Sequence, residues 1–182
     1  MIEILIVDDH DLVRYGLKRI LEDMPNIQVV GEACSGEEAV KLARELKPDV
    51  VLMDVLMPGM GGLEATRRIH HFDADIGVIA VTACDDDVYP SRLLNAGASG
   101  YLTKGADIEE MLEAITKVHS GKRYISPEIA QKLALKSFGN GVGKMPFDLL
   151  SERELQISMM IVNCSKVNDI AERLCLSPKT VN

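Results

Sequence analysis

Five short apolar runs alternate with longer amphipathic segments in the first 120 residues, and this alternation limits the possible folds more than any other feature. The runs are rich in β-branched residues and mostly continuous, which is typical of strands buried on both faces of a parallel sheet. The sequence therefore predicts an α/β fold with a doubly wound, five-stranded parallel sheet. The predicted strands are residues 4–7, 29–30, 50–53, 78–81 and 101–102.

The segments between the runs have the periodicity of amphipathic helices. After the first run, apolar residues recur in pairs every four residues from Leu12 to Met24, so we expect this whole stripe to lie on the sheet. Asp11 and Asp107 each precede such a stripe and are predicted to cap the helices that follow. Proline is tolerated only in the first turn of a helix, so the fourth helix is predicted to begin near Pro90.

Polar side chains follow four of the predicted strands. Asp8 and Asp9 follow the first strand, Asp54 the third, Thr82 the fourth and Lys104 the fifth. Because the carboxyl ends of parallel strands open into one crevice, these side chains are expected to meet there. Clustered carboxylates repel one another unless a hard cation is bound, so the sequence predicts a Mg²⁺ site. Lys104 and Thr82 would neutralise a phosphoryl group carried covalently by Asp54, a carboxylate nucleophile.

The chain changes character after about residue 120. A basic segment punctuated by glycine is predicted to be a linker with one short helix at residues 127–136. Helical patterning then returns, and Ser151 with Glu154 three residues later forms a capping box. A further helix is predicted at residues 167–175. The predicted organisation is a first domain at 1–120, a linker at 121–147 and a smaller all-α domain at 148–182.

The charge of the chain is distributed unevenly. The formal net charge of −8 arises from −11 over residues 1–120, +4 over residues 121–144 and −1 over residues 145–182. The acidity belongs to the first domain and does not exclude nucleic acid as a partner of the second. No apolar stretch approaches the roughly 20 residues of a membrane span, and no secretion signal begins the chain, so we expect a cytoplasmic protein.

The motifs of the first domain carry a specific resemblance. IVDD, LMDVLMPGMGG, VTA and GYLTK occur in the order and spacing of a bacterial response-regulator receiver domain, which the chain resembles over residues 1 to about 120. This resemblance implies a flavodoxin-like fold in which Asp54 accepts a phosphoryl group from a sensor histidine kinase or a small phosphodonor. It also implies that Asp9 and Asp54 bind Mg²⁺, with Asp8 assisting through water and the backbone carbonyl of Leu56 as a further ligand.

The same resemblance implies a switch. Thr82 and Tyr101 match the pair that reports phosphorylation in receiver domains, where the hydroxyl moves toward the phosphoryl group and the aromatic ring turns inward. The resemblance leaves open a homodimer that forms on phosphorylation. One position departs from the pattern, because many receivers follow the lysine with a cis-proline, whereas Gly105 follows Lys104 here.

The second domain resembles the helix-turn-helix of LuxR/NarL-type DNA-binding domains. Behind a receiver, this pairing identifies the chain as a member of the NarL/FixJ class, and YPSRLLNAGASGYLTKG with SPKTVN is similar to global regulators of the GacA/UvrY/LetA type. Ile170, Ala171 and Leu174 would pack the scaffold helix. The residues expected to contact promoter DNA are Ser177, Lys179, Thr180 and Asn182. Since the sequence stops inside the recognition helix, we expect it to be truncated there and to bind operator DNA weakly.

Two other functions compete with transcription control. A Mg²⁺-dependent aspartyl-phosphate phosphatase also uses a nucleophilic aspartate and a lysine, but it usually carries a second acid two residues after the nucleophile. Leu56 occupies that position, so we do not expect an enzyme. A receiver that acts by protein contact alone is disfavoured by the helix-turn-helix.

Overall fold

A computed structural model of the chain describes two compact units, Met1–Phe138 and Gly139–Asn182. Within them, the described residues are 1–82, 89–138, 150, 151, 154, 155, 157, 158, 161, 167–173 and 180. Among these residues, no helix combines the length and apolar character needed to cross a bilayer. The boundaries at 1–120, 121–147 and 148–182 stay predictions.

The first unit is built on a parallel sheet, which confirms the predicted α/β class. Six strands are arranged in the order β2-β1-β3-β4-β5-β6. The central strands are buried on both faces, as their continuous apolar runs predicted. The strands are β1 Ile2–Val7, β2 Ile27–Ala33, β3 Val50–Asp54, β4 Gly77–Thr82, β5 Gly100–Thr103 and β6 Tyr124–Ile125.

Helices cover both faces of this sheet. Residues of α1 and α5 belong to the apolar cluster on one face, and residues of α2 and α3 belong to the cluster on the other face. The fold is therefore doubly wound, as predicted. The helices of the first unit are α1 Asp11–Glu22, α2 Gly36–Leu46, α3 Gly62–Phe72, α4 Tyr89–Asn95, α5 Ile108–His119 and α6 Pro127–Phe138.

The prediction of five strands was one too few. β6 pairs with the edge strand β5 through Gly100 and Tyr101, and the N–H of Tyr124 donates to the carbonyl of Ser99 at 2.9 Å. A two-residue strand is too short to show an alternating or continuous apolar pattern. This strand and α6 both lie in the segment that we predicted to be a linker with one short helix.

Two predictions about α1 were wrong. Leu12 is 83% exposed because it lies nine residues from the buried Leu21, which at 100° per residue places it on the opposite side of the helix. Asp11 does not cap α1, since the helix begins at Asp11 and its N-cap is His10, which makes no side-chain cap bond. Asp11 instead pairs with Arg14 one turn later.

Two predicted helix starts are confirmed. The side chain of Asp107 accepts from the N–H of Glu110 at 2.7 Å and caps α5. α4 begins at Tyr89, so Pro90 lies in its first turn, where proline is tolerated.

The second unit contains the predicted capping box. The Glu154 carboxylate accepts from the backbone N–H of Ser151 at 2.8 Å, and the Ser151 hydroxyl accepts from the N–H of Glu154 at 3.3 Å. A helix follows at Val167–Arg173, which we label α7. Ile170 and Ala171 of α7 are buried, as predicted for a scaffold helix. Leu174 lies outside the described residues.

Candidate phosphoacceptor and metal site

The sheet topology brings the predicted site residues to one crevice. The chain runs from β1 outward to β2 and then returns to β3 on the other side of β1, so the strand order reverses there. Ligands of open α/β sheets bind at such a reversal, outside the carboxyl ends of the strands. Asp8 follows β1 directly, and Asp54 is the last residue of the adjacent β3.

Two of the three predicted carboxylates are almost completely buried. Asp8 is 3% exposed and Asp54 is 4% exposed. The ammonium group of Lys104 lies between them, donating to Asp8 Oδ2 at 2.6 Å and to Asp54 Oδ2 at 2.9 Å. These two bonds join residues 96 and 50 positions apart in sequence. The predicted meeting of these three side chains is therefore observed.

The charges of the site do not balance. Burial raises the pKa of the Asp54 carboxyl, and the nearby Asp8 carboxylate raises it further, while Lys104 opposes both effects. Burial lowers the pKa of Lys104, but its bonds to Asp8 and Asp54 outweigh that effect and leave the pKa above its ordinary value. With Asp9 close by, one ammonium group faces three carboxylates, so the crevice favours an additional cation.

The donor set of the crevice suits a hard divalent cation. Ligand atoms of Asp8, Asp9, His10 and Asp54 all lie within 4.8 Å of one another. Three of the four residues offer carboxylate oxygens, the ligands that Mg²⁺ prefers. The fourth predicted ligand is the carbonyl of Leu56, whose N–H donates to Asp54 Oδ1 at 3.3 Å. This contact keeps Leu56 beside the carboxylate; the role of its carbonyl stays a prediction.

The predicted switch residues lie next to the crevice. Thr82 ends β4, and its backbone carbonyl accepts from the N–H of Lys104 at 2.7 Å. The side chains of Thr82 and Tyr101 are both fully buried. Among the described residues every peptide bond is trans, so the glycine that replaces the usual proline, Gly105, does not introduce a cis bond after Lys104.

Sequence reasoning missed two side chains at this site. One is His10, whose Nδ1 lies 2.9 Å from Asp9 Oδ1 and 3.1 Å from Asp8 Oδ1, while 54% of its side chain is exposed. The other is Arg14, at the end of the first turn of α1, which donates to the backbone carbonyl of Asp8 at 2.6 Å. Its position one turn after Asp11 was the available signal, since residues three apart on a helix are neighbours.

The predicted DNA contacts cannot be placed in the same way. Ser177, Lys179 and Asn182 lie outside the described residues, and Thr180 is exposed. Their contacts with promoter DNA stay predictions.

Two family models match the chain. Residues 4–116 match the response regulator receiver domain, and residues 148–182 match the bacterial regulatory proteins of the luxR family. The first match alone spans more than half of the chain and contains every residue of the crevice described above.

Whole proteins and solved structures give the same result. The chain is 64% identical over 182 residues to the response regulator GacA of Pseudomonas viridiflava, covering all of this chain and 85% of that protein. It is 54% identical over 182 residues to the response regulator UvrY of Escherichia coli K12, covering 84% of that protein. The crystal structure of a LuxR-family two-component response regulator from Aurantimonas shares 40% identity with a TM-score of 0.72, covering 76% of this chain and 99% of that chain.

The motifs, the fold and the relatives all agree. The chain therefore belongs to the two-component response regulators that join a receiver domain to a LuxR-type DNA-binding domain and control transcription.

Proposed function

We propose that Asp54 is the phosphoacceptor of this response regulator and that Mg²⁺ assists the transfer. The observation that carries the proposal is the position of Lys104, whose ammonium group bridges Asp8 and Asp54 at the carboxyl ends of adjacent strands. A lysine there is placed to neutralise a phosphoryl oxygen on Asp54. The donor is a sensor histidine kinase or a small phosphodonor.

The chemistry needs a carboxylate nucleophile and a positive environment. An Asp54 carboxylate oxygen attacks the phosphorus of the donor, a P–O bond to Asp54 forms, and the bond to the donor's leaving group breaks. Lys104 then pairs with the new phosphoryl oxygens instead of the free carboxylate. Asp8, Asp9, Asp54 and the Leu56 carbonyl would hold the Mg²⁺, which would supply further positive charge for the transferred group.

We propose signalling rather than catalytic turnover as the role of this site. An aspartyl-phosphate phosphatase usually needs a second acid to protonate the leaving group of its substrate, and Leu56 stands at that position. A leucine side chain cannot donate a proton. The hydrolysis of external phosphoesters is therefore expected to be slow, and steady-state turnover of a phosphoester substrate would reverse this assignment.

A test of the whole proposal is to incubate the protein with a small phosphodonor and Mg²⁺ and to follow its intact mass. We expect one added phosphoryl group, which should not appear when a chelator removes the metal. Failure of the protein to become modified with Mg²⁺ present would contradict the proposal.

Loss of one metal ligand should weaken Mg²⁺ binding. In the Asp9→Asn variant, we expect Mg²⁺ to raise the free energy of unfolding less than in the wild type, because an amide is a poorer ligand than a carboxylate. At a Mg²⁺ concentration of 100 times the dissociation constant, the wild type should gain about 2.7 kcal/mol. A tenfold loss of affinity should reduce that gain to about 1.4 kcal/mol at the same Mg²⁺ concentration. Urea unfolding with and without Mg²⁺ measures both values.

The matched control for this experiment is Asp11→Asn, which removes a carboxylate two residues away whose side chain is 94% exposed. Its response to Mg²⁺ should equal that of the wild type. Equal responses of the wild type and the Asp9→Asn variant would exclude Asp9 as a ligand.

We propose that Thr82 and Tyr101 report the phosphoryl group. Thr82 is held beside the site by the bond between its carbonyl and the N–H of Lys104, and Tyr101 lies on the adjacent strand β5. A new charge of about −2 on Asp54 would attract the Thr82 hydroxyl, and the packing of the buried Tyr101 ring would follow. This rearrangement is the proposed signal to the remainder of the protein.

Removal of the Thr82 hydroxyl should allow phosphorylation but abolish the conformational response of Tyr101. We expect Thr82→Ala to be phosphorylated within a few-fold of the wild-type rate, since the nucleophile and Lys104 are retained. The change in the Tyr101 ring resonances on adding beryllofluoride and Mg²⁺ should be lost. Thr103→Ala, which changes the register partner of Thr82 on β5, serves as the control and should keep it. A full response in Thr82→Ala would contradict the switch.

The surface beside the site supports a protein donor. Leu12 is 83% exposed and Tyr15 is 64% exposed, and both lie on α1 just after the acidic pair. Exposed apolar side chains close to a reacting group are typical of protein contacts. We infer that a sensor kinase docks here, in the cytoplasm. A homodimer formed on phosphorylation and the contacts of Ser177, Lys179, Thr180 and Asn182 with promoter DNA complete the proposed output.

A further inference from the structure

The loop that follows Asp54 is fastened at its base. We define the phosphoacceptor loop as residues 55–61, between β3 and α3. The N–H of Gly62 donates to the carbonyl of Val55 at 3.0 Å, and the side chain of Met57 is buried in the core. A Cβ at Gly62 would lie 2.0 Å from the carbonyl oxygen of Asp54. The start of α3 therefore packs directly against the end of β3.

The tip of this loop is fastened separately, by the first turn of α2. The N–H of Met60 donates to Glu37 Oε1 at 2.9 Å. The same carboxylate covers Gly59, whose φ is +70° and where a Cβ would lie 3.0 Å from Glu37 Oε1. A Cβ at Gly36 would lie 2.3 Å from the carbonyl oxygen of Met60. Two neighbouring residues of α2 thus contact the N–H and the carbonyl of one loop residue.

Glu37 is itself fixed by the cap of α2. The hydroxyl of Ser35 accepts from the N–H of Glu38 at 3.2 Å, and the carboxylate of Glu38 accepts from the N–H of Cys34 at 2.8 Å. This reciprocal arrangement holds the backbone on both sides of Glu37. Glu38 therefore stabilises the start of α2, whereas the Glu37 carboxylate accepts a hydrogen bond from Met60, 23 residues away in sequence.

We propose that Glu37 is a positioning residue for the phosphorylation site. By holding Met60, it limits the motion of the loop that contains the proposed metal ligand Leu56, two residues after Asp54 at the end of β3. Mg²⁺ demands near-ideal octahedral geometry, so a backbone ligand on a looser loop binds it less well. Glu37 raises the affinity for Mg²⁺ without touching the ion. The proposal rests on the function proposed for Asp54 and Leu56.

The test compares three variants by calorimetric titration with Mg²⁺. Glu37→Ala should weaken Mg²⁺ binding about 10-fold, at the low end of the effect of outer-shell partners because this hydrogen bond is exposed to solvent. Glu37→Gln should bind nearly as well as the wild type, because its amide oxygen still accepts from Met60. Glu38→Ala should lower the melting temperature by removing the bond to Cys34, yet it should weaken Mg²⁺ binding much less than Glu37→Ala, because Glu37 keeps its bond to Met60.

Phosphorylation kinetics provide a second readout that a purely structural effect would not produce. The rate with a small phosphodonor should fall in Glu37→Ala at low Mg²⁺ and recover toward the wild-type rate at saturating Mg²⁺. Gly36→Ala adds a Cβ that would clash with the carbonyl oxygen of Met60. This variant should therefore also need more Mg²⁺ than the wild type to reach the same rate.

Three results would overturn the proposal. The first is a wild-type Mg²⁺ affinity in Glu37→Ala. The second is a loss of Mg²⁺ affinity in Glu37→Gln equal to that in Glu37→Ala, which would indicate that the charge matters rather than the hydrogen bond. The third is an equal loss of Mg²⁺ affinity in Glu38→Ala, which would indicate general loosening of α2. If the wild type itself binds no Mg²⁺ and accepts no phosphoryl group, the proposed function of Asp54 fails first, and this inference falls with it.

Discussion

Replacement of Asp54 by asparagine is expected to abolish phosphorylation by both a sensor kinase and a small phosphodonor. The amide has no carboxylate oxygen to attack phosphorus, although the amide can still sit beside Lys104 at the end of β3. The measurement is the intact mass after incubation with a phosphodonor and Mg²⁺. The wild type should gain one phosphoryl group and the variant none.

A matched control distinguishes this result from a general effect of losing a carboxylate. Asp75 lies exposed between α3 and β4, so Asp75→Asn removes the same charge away from the crevice. This variant should be modified at the wild-type rate. If Asp54→Asn were modified at that rate as well, another residue would have to be the acceptor.

The same substitution should also stabilise the metal-free protein at neutral pH. The pKa of Asp54 is raised in the folded state, mainly by burial and further by Asp8, so its ionised form is disfavoured there. Folding with a neutral side chain avoids this cost. The advantage of the variant should be present at pH 7, shrink as the pH falls toward the ordinary value of 3.8, and be absent below it. Urea midpoints across this range measure the effect.

Replacement of Lys104 by methionine should have the largest effect on stability. The substitution leaves the carboxylates of Asp8 and Asp54, both nearly fully buried, without their ammonium partner. Removal of one member of a buried ion pair costs about 3 kcal/mol or more. The rate of phosphorylation should also fall by about 100-fold, because one positive charge facing the phosphoryl group is lost. Mg²⁺ should restore part of the stability but not the rate.

Two further variants test the origin of this effect. Lys104→Arg keeps the charge but replaces a compact ammonium by a planar fork, so it should recover more stability than rate. Lys122→Met removes an exposed lysine and should change neither. A wild-type urea midpoint for Lys104→Met would contradict the proposed bridge.

The effect of Lys104 on stability should depend on pH in a defined direction. Its pKa is above 10.5 in the folded state because the attraction of the two carboxylates outweighs burial. Its contribution is therefore fully present below pH 10.5 and is lost as the pH rises through the folded value. The difference in unfolding free energy between the wild type and Lys104→Met should be constant around neutral pH and decrease above pH 10.5.

The strands and the site carboxylates were predictable for one physical reason. A buried parallel strand is a continuous apolar run, and the first polar residue after it must lie at the carboxyl edge of the sheet. Asp8, Asp54, Thr82 and Lys104 all follow such runs, and the structure brings Asp8, Asp54 and Lys104 into direct contact.

The features that the sequence did not reveal depend on tertiary packing. β6 is only two residues long and forms because the edge of β5 offers free hydrogen-bonding groups. The hydrogen bond between Glu37 of α2 and Met60 joins residues 23 positions apart, on either side of β3. Neither local periodicity nor helix capping predicts such a contact. Leu12 shows the opposite error. Its place in an apolar stripe predicted burial against the sheet, but the side chain is exposed.

The phosphorylated residue can be identified chemically. The protein is phosphorylated with a small phosphodonor and Mg²⁺, the acyl phosphate is reduced with borohydride, and the peptides are sequenced by mass spectrometry. We expect the reduced residue to be Asp54 and no other. Reduction at Asp8 or Asp9, or a stable phosphoryl group on His10, would contradict the account.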